Sequence, residues 1–105
     1  MSKKIVIFGA AGTLGLYLTD YLVERLDSAE WEIIASGRKD LTFFDRYAPA
    51  VRYISADIAN RESFASLPQE DVYAVIHFAG ALPAYMKGYD PWQYVNTNVL
   101  GTLNV

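Results

Sequence analysis

The sequence has no cysteine and a single histidine among its 105 residues. Disulfides and thiolate zinc sites are therefore excluded, and a zinc ion bound by the one histidine would need carboxylates for its remaining ligands. Basic residues are also few, because 9 lysines and arginines stand against 12 acidic residues and the formal net charge is −3. We expect no metal centre, and this charge argues against DNA or RNA as a partner.

Long apolar runs are missing as well, and none approaches the roughly 18 residues of a membrane span. Lys3 and Lys4 precede four apolar residues, as in a secretory signal, but Gly9 and Gly12 interrupt that pattern. We therefore expect a cytoplasmic protein with no membrane partner. With 52% apolar residues the chain can build one hydrophobic core, and residues 1–105 are predicted to form one domain.

Four short apolar runs predict β-strands. The first is rich in β-branched residues and ends at Gly9, which is typical of a parallel strand buried on both faces, and the fourth is also apolar throughout. The predicted strands comprise residues 4–8, 32–36, 51–55 and 72–78.

Helical periodicity follows the first strand. From Thr13 to about Asp27, leucines recur every four residues and two tyrosines widen the apolar stripe. This pattern predicts an amphipathic helix that turns one face inward. The predicted inward residues are Leu14, Tyr17, Leu18, Tyr21, Leu22 and Leu26.

Capping signals predict further helices. Asn60 is a suitable N-cap for about two turns that Pro68 ends, and residues 40–47 are predicted to form a short helix. Residues 90–93 have the Asp-Pro-x-Gln pattern of a capping box that opens a final helix. The predicted inward residues of that helix are Trp92, Val95, Val99 and Leu103.

Strands that alternate with helices at short spacing predict right-handed crossovers and an α/β fold with a Rossmann-type parallel sheet. The expected strand order is 3-2-1-4. Ligands of such sheets bind at the carboxyl ends of the strands beside the point where sheet growth reverses. We therefore expect a site just beyond Phe8 and Phe78.

Residues 9–15 have the pattern G-x-x-G-x-x-G between the first strand and the first helix. Gly9, Gly12 and Gly15 would permit a tight turn, a close approach of backbone N–H groups to a pyrophosphate, and close packing of helix on strand. The pattern predicts a dinucleotide site, and a purely structural turn is the alternative. The other candidate cofactor contacts in this segment are Ala11, Thr13 and Leu14.

The second strand is followed by Ser36-Gly37-Arg38-Lys39, without the acidic residue that often binds the adenosine ribose. Two cations at this position favour the 2′-phosphate of NADP over the free hydroxyl of NAD. A solvated basic turn is one alternative, and Asp40 is the only nearby acid that could serve NAD. We expect NADP as the cofactor, with NAD as second choice, bound through Arg38 and Lys39.

Two further positions carry candidate chemistry. Asp57 and Ile58 follow the third strand, where they could meet the amine and the face of an adenine, although an Asp in a loop also serves as a turn or cap. His77 lies inside an apolar strand. We interpret it as a packed, hydrogen-bonded residue rather than a general base.

Four motifs occur in the order and spacing of the extended short-chain dehydrogenase/reductases, which the sequence resembles over essentially its whole length. That superfamily includes NAD(P)-dependent epimerases, dehydratases and reductases that act on nucleotide sugars. The motifs are the glycine pattern at 9–15, Asp57-Ile58, VIHFAG at 75–80, and Asp90-Pro91 followed by NVLGTLN at 98–104.

The resemblance implies an NAD(P)-binding domain and assigns roles to matching positions. It implies that Asp57 and Ile58 flank the adenine. Asn98 would be the helix asparagine that helps to organise the active site, with an amide bonded to neighbouring backbone as the alternative. The residues that would line the cofactor groove are Phe78, Ala79 and Gly80.

The resemblance also implies how the reaction is catalysed. In that superfamily a tyrosine and a lysine, spaced Tyr-x-x-x-Lys and located beyond the asparagine helix, relay protons. None of the eight tyrosines here has a lysine four residues later. We therefore expect the amino-terminal, cofactor-binding portion of a longer oxidoreductase, without a catalytic residue and inactive on nucleotide sugars by itself. The alternative is a non-catalytic dinucleotide-binding sensor or interaction module.

The predicted strand order leaves residues 72–78 at an edge of the sheet. Unpaired backbone groups along an apolar strand favour pairing with another chain, and an apolar stripe on the final helix would add a second adhesive surface. We therefore expect self-association.

Overall fold

In the computed structural model, the chain forms a four-stranded parallel sheet in the predicted order, β3-β2-β1-β4. The structure describes residues 3–38, 42–47, 49–79, 92 and 95–105. No strand differs from its predicted bounds by more than one residue at either end. The strands are β1 (Lys3–Phe8), β2 (Trp31–Gly37), β3 (Val51–Ser55) and β4 (Val72–His77).

Helical segments connect the strands, but several are tighter or wider than an α-helix. After β3, Asn60 accepts a hydrogen bond from the backbone N–H of Glu62, at 3.1 Å, and so caps the following turns as predicted. Asp90 and the rest of the predicted capping box lie outside the described residues. The segments are α1 (Thr13–Arg25), 3₁₀ helices at Phe43–Tyr47 and Arg61–Ser66, a π-helical turn at Val95–Leu100, and α2 (Gly101–Asn104).

Each face of the sheet supports its own hydrophobic cluster, because successive residues of a strand point to opposite faces. One cluster lies under α1 and includes Ile5, Ile7 and Ile33. The other includes Val6, Phe8, Ile34 and Ile58, and it lies on the face of the loops that follow β3. Among the described residues, no helix combines the length and the hydropathy that a membrane crossing requires.

The inner face of α1 differs from the predicted one. Gly15 and Thr19 are the buried residues of the helix, and the Thr19 hydroxyl donates to the Gly15 carbonyl at 2.8 Å. Because this small-residue face approaches the sheet closely, the large residues at the start of the predicted stripe turn outward. The prediction is confirmed for Leu18, Leu22 and Leu26 and wrong for Leu14, Tyr17 and Tyr21, which are exposed.

The same correction applies to the final helical segment. Its buried residues are Thr97 and Gly101, and a Cβ at Gly101 would come within 2.7 Å of Cγ1 of Ile58. The segment therefore packs through its smallest residues. The four residues predicted to face inward, Trp92, Val95, Val99 and Leu103, are exposed.

Candidate cofactor site

A cavity of about 340 Å³ opens where β1, β2 and β4 end. This is the predicted position, at the carboxyl ends of the strands beside the reversal of sheet growth. The described residues in its wall are Phe8, Gly9, Ala11, Gly12, Ser36, Gly37, Arg38, Tyr53, Ala56, Ile58, Phe78, Ala79 and Thr97.

The fold requires glycine at two positions of the turn between β1 and α1, whether or not a ligand binds there. Gly9 has a φ of +75°, and a Cβ there would lie 2.6 Å from the backbone nitrogen of Ala79. At Gly15, a Cβ would lie 2.5 Å from Cα of Ala10. Both positions therefore exclude any side chain for reasons of packing.

Gly12 differs from the other two glycines. The nearest atom to a Cβ at Gly12 would be the carbonyl oxygen of Gly9, at 3.4 Å, which is an ordinary contact. Packing within the chain therefore does not require a glycine here. Because Gly12 lies in the cavity wall, the missing side chain leaves room for a ligand instead.

Gly12 is also the N-cap of α1, and it offers no side-chain hydrogen bond to the helix. The first turn carries no acidic residue. Since the first N–H groups of a helix lack intrahelical partners and lie at the positive end of its dipole, this end of α1 suits an anion. Thr13, Leu14 and Gly15 contribute backbone to this turn and lie outside the cavity wall.

Arg38 lies in the wall directly after β2. The Ser55 hydroxyl donates to its carbonyl at 3.2 Å and ties this backbone to the end of β3. Its side chain is exposed and forms no ion pair with the other described residues. Lys39 and Asp40 lie outside the described residues. Arg38 is therefore the one of the two predicted cations that the structure describes.

The structure separates Asp57 from Ile58. Ile58 is buried in the cavity wall, whereas Asp57 lies outside it. Oδ1 of Asp57 accepts from the backbone N–H of Ala59 at 3.0 Å, and the Asp57 N–H donates to Ser63 Oγ at 3.1 Å. Asp57 therefore performs the turn role that the sequence left open, and its contact with an adenine stays a prediction.

The last wall segment comes from β4 and the π-helical turn. Phe78 and Ala79 line the cavity as the resemblance implies, and Gly80 lies outside the described residues. From the π-helical turn, Thr97 reaches the wall and is 8% exposed, whereas the adjacent Asn98 is exposed and outside it.

Sequence reasoning missed Tyr53, Ala56 and Thr97. The Tyr53 ring stacks on Phe44 with centroids 5.3 Å apart, and its hydroxyl would lie 2.9 Å from a Cβ at Gly37. Tyr53 pairs with Ala35, two residues before the end of β2, so no sequence signal indicates that its side chain extends to Gly37. For Thr97, the signal is the small residue four positions later, Gly101.

His77 forms the hydrogen bond that its interpretation as a packed strand residue requires. Its Nε2 lies 2.9 Å from Oγ1 of Thr102, and its ring meets Phe8 edge to face. His77 is outside the cavity wall. The described residues contain no group of three or more His, Cys, Asp or Glu side chains placed to hold a metal ion.

The sequence matches the NAD dependent epimerase/dehydratase family over residues 5–105. The chain belongs to this family. The resemblance stated from the motifs is thereby confirmed, and membership in an NAD dependent family supports a nicotinamide dinucleotide as the cofactor.

The curated relatives of this chain include proteins named as a dehydratase and an epimerase of UDP-sugars. The chain is 32% identical to a UDP-N-acetylglucosamine 4,6-dehydratase (inverting) from Campylobacter jejuni, with 98% of this chain and 31% of that protein covered. It is 28% identical to a UDP-glucose 4-epimerase from Streptococcus mutans, with 96% of this chain and 30% of that protein covered. The chain thus spans less than a third of either relative.

Solved structures confirm the Rossmann-type fold of this epimerase/dehydratase family member. An L-threonine dehydrogenase from Clostridium difficile matches 98% of this chain and 31% of its own, with 28% identity and a TM-score of 0.75. A dTDP-glucose 4,6-dehydratase from Bacillus anthracis, solved in complex with NAD, matches 98% of this chain and 32% of its own, with a TM-score of 0.73. At 20% identity, the second likeness shows the fold alone.

Proposed function

We propose that this chain binds NADP in preference to NAD, as the cofactor-binding part of an oxidoreductase that acts on nucleotide sugars. The observation that carries the dinucleotide site is Gly12, whose missing side chain leaves room in the cavity wall beside an uncapped helix N-terminus. Family membership supports the enzymatic interpretation over a non-catalytic module. The nucleotide-sugar class rests on the names of the curated relatives.

The residues present fit such a cofactor. The first turn of α1, with Gly12 at its cap, would hold the pyrophosphate through backbone N–H groups. Ile58 and Ala79 offer apolar surface for an adenine, with Asp57 as the acceptor for its amine. Gly80 would extend this groove, and Asn98 would act nearby as a polar group of the active site.

Arg38 supplies the preference for NADP. A guanidinium binds a phosphate through charge-assisted hydrogen bonds, whereas a ribose hydroxyl offers it no charge. Lys39 would add a second cation. When bound, the nicotinamide supplies hydride transfer at a sugar carbon, and we assign residues 1–105 a binding role with no part in proton transfer.

Calorimetric titration of NADP and NAD tests this proposal. A charged hydrogen bond is worth about 1.5–3 kcal/mol, so NADP should bind about tenfold to a hundredfold more tightly, and Arg38→Ala should remove most of that difference. Arg25→Ala is the matched control, because Arg25 is an exposed cation at the far end of α1. Equal affinities in the unmodified protein, or a preference unchanged in Arg38→Ala, would contradict the NADP assignment.

A further inference from the structure

A chain of hydrogen bonds connects the end of β4 to the final helical segment. Nε2 of His77 lies 2.9 Å from Oγ1 of Thr102. The Thr102 hydroxyl in turn donates to the carbonyl oxygen of Asn98 at 2.8 Å. Strand, α2 and π-helical turn are therefore joined through one hydroxyl group.

This geometry fixes the tautomer of the imidazole. A threonine hydroxyl has one hydrogen, and the Thr102 hydrogen is directed to Asn98, so Oγ1 can only accept from His77. The proton therefore lies on Nε2, and Nδ1 carries a lone pair. Nδ1 is buried and has no hydrogen-bond partner among the described residues.

A buried acceptor without a partner is a cost that an apolar side chain of similar size would avoid. Neighbouring positions of β4 are apolar, so packing alone does not explain a histidine here. The hydrogen bond from Nε2 is the property that an apolar residue would lack.

The bond holds the segment that completes the cavity wall. Thr97 lies one residue before Asn98, in the π-helical turn, and it is buried against the cavity. On its other side, α2 is fastened to Ile58, because Nδ2 of Asn104 donates to the Ile58 carbonyl at 2.9 Å. The wall residues Thr97 and Ile58 are thus both attached to the segment that His77 secures.

We propose that His77 is a positioning residue for the dinucleotide site, acting through Thr102 to hold the π-helical turn so that Thr97 closes the cavity wall. It moves no proton and touches no ligand. This inference rests on the proposed function for its effect on binding. Its effect on the ring tautomer and on Thr97 is independent of any ligand.

The ligand-free part of the test uses nitrogen-15 and proton NMR. The unmodified protein should show Nε2 protonated and Nδ1 unprotonated. Thr102→Val removes the hydroxyl at nearly constant volume, so the amide and methyl signals of Thr97 should shift, whereas Thr102→Ser should leave them unchanged. A proton on Nδ1, or Thr97 signals unaffected by Thr102→Val, would overturn the inference even if the protein bound no dinucleotide.

The binding part compares the same pair of variants by NADP titration. Loss of one neutral hydrogen bond corresponds to about a threefold to tenfold weaker affinity, which we expect for Thr102→Val and not for Thr102→Ser. His77→Leu should weaken binding similarly, and His77→Gln should restore part of it because its amide nitrogen can replace Nε2. Adding Thr102→Val to His77→Leu should cost nothing further.

Controls separate this effect from general destabilisation. Leu103→Ala alters an exposed neighbour of Thr102 and should leave both NADP affinity and the Thr97 signals unchanged. If His77→Leu fails to fold, the exposed Thr102 position still decides the outcome. Equal losses of affinity in Thr102→Ser and Thr102→Val would overturn the inference, whereas a protein that binds neither NADP nor NAD would overturn the proposed function alone.

Discussion

β2 and β4 both pair with β1, and both are apolar runs in the sequence, yet they lie in different surroundings. In β2, which β1 and β3 flank on both edges, Ile34 is fully buried in the cluster that includes Val6 and Ile58. In β4, Tyr73 is 67% exposed and Val75 is 47% exposed, and the strand lies at the edge of the described sheet. An apolar run therefore specifies a strand, while its place in the sheet decides how deeply the strand is buried.

The turn at residues 9–15 contacts the ends of both strands, β2 and β4. The backbone N–H groups of Gly9 and Ala10 both donate to the Ser36 carbonyl at the end of β2, at 3.0 and 3.2 Å. On the other side, Gly9 lies against the backbone of Ala79, just beyond β4. The candidate site thus depends on the exposed strand β4 as much as on the buried strand β2.

The largest expected effect on stability comes from placing the same charge in β2 and in β4. Ile34→Lys would bury an unpaired ammonium group and should lower the free energy of unfolding by about 4 kcal/mol or more. Val75→Lys leaves its charge in water and should cost about 1 kcal/mol or less. Urea denaturation of both variants measures the difference, and similar losses would show that β2 and β4 are equally buried.

A smaller effect separates the glycines of the turn. Gly15→Val forces a side chain into the backbone of Gly9 and Ala10 and should cost about 3 kcal/mol of stability. Gly12→Val should cost about 1 kcal/mol, from a poorer helix cap, but should abolish dinucleotide binding. Thermal unfolding and NADP titration distinguish the two variants. Unchanged NADP binding in Gly12→Val would contradict the assignment of the pyrophosphate to this turn.

The exposure of β4 leads us to expect self-association through that edge. Sedimentation velocity at increasing concentration should show a rising average mass, and Val75→Lys should lower it by placing a charge on the strand. Leu14→Lys is the control, because Leu14 is exposed on α1, away from the edge. A monomer at every concentration, or an equal response to both lysines, would contradict association through β4.

The smallest expected effect concerns an exposed hydrogen bond on the α1 face of the sheet, in which the Tyr47 hydroxyl donates to Oδ1 of Asp20 at 3.3 Å. Burial, with the nearby Asp20 carboxylate, raises the pKa of Tyr47 above its ordinary value of 10.0. Since the folded state holds this proton more tightly, stability should fall as the pH rises above about 10. Tyr47→Phe should cost about 0.5 kcal/mol at neutral pH and reduce that alkaline loss, as urea denaturation across pH would show.

The sequence predicts the sheet well because strand runs, turn glycines and crossover rules are local or general signals. Helix faces are predicted less well, since hydrophobic periodicity finds the largest residues of a helix. In α1 and the final segment, the most deeply buried residues are the small ones, Gly15, Thr19, Thr97 and Gly101. Leu18 and Leu22 of α1 also pack against the core, as predicted. A helix that approaches a sheet closely is marked by its small residues.

In the candidate site, positions fixed by the backbone are likewise easier to predict than the reach of a side chain. Positions set by the backbone, such as Gly9, Gly12 and Ala79, follow from the motifs. Tyr53 does not, because its side chain extends from β3 to reach Gly37, and no residue spacing encodes that reach. Asp57 illustrates the converse, since its motif position is as predicted while its carboxylate is used by a local turn.

The Ser36 carbonyl accepts two hydrogen bonds from the turn, so backbone contacts within the chain itself fix this loop. A loop already fixed in this way loses little conformational entropy when it receives an anion. Binding should therefore be fast and free of a slow isomerisation phase in stopped-flow measurements. The Gly9 and Ala10 amides should likewise resist hydrogen exchange as strongly in the ligand-free protein as in the complex.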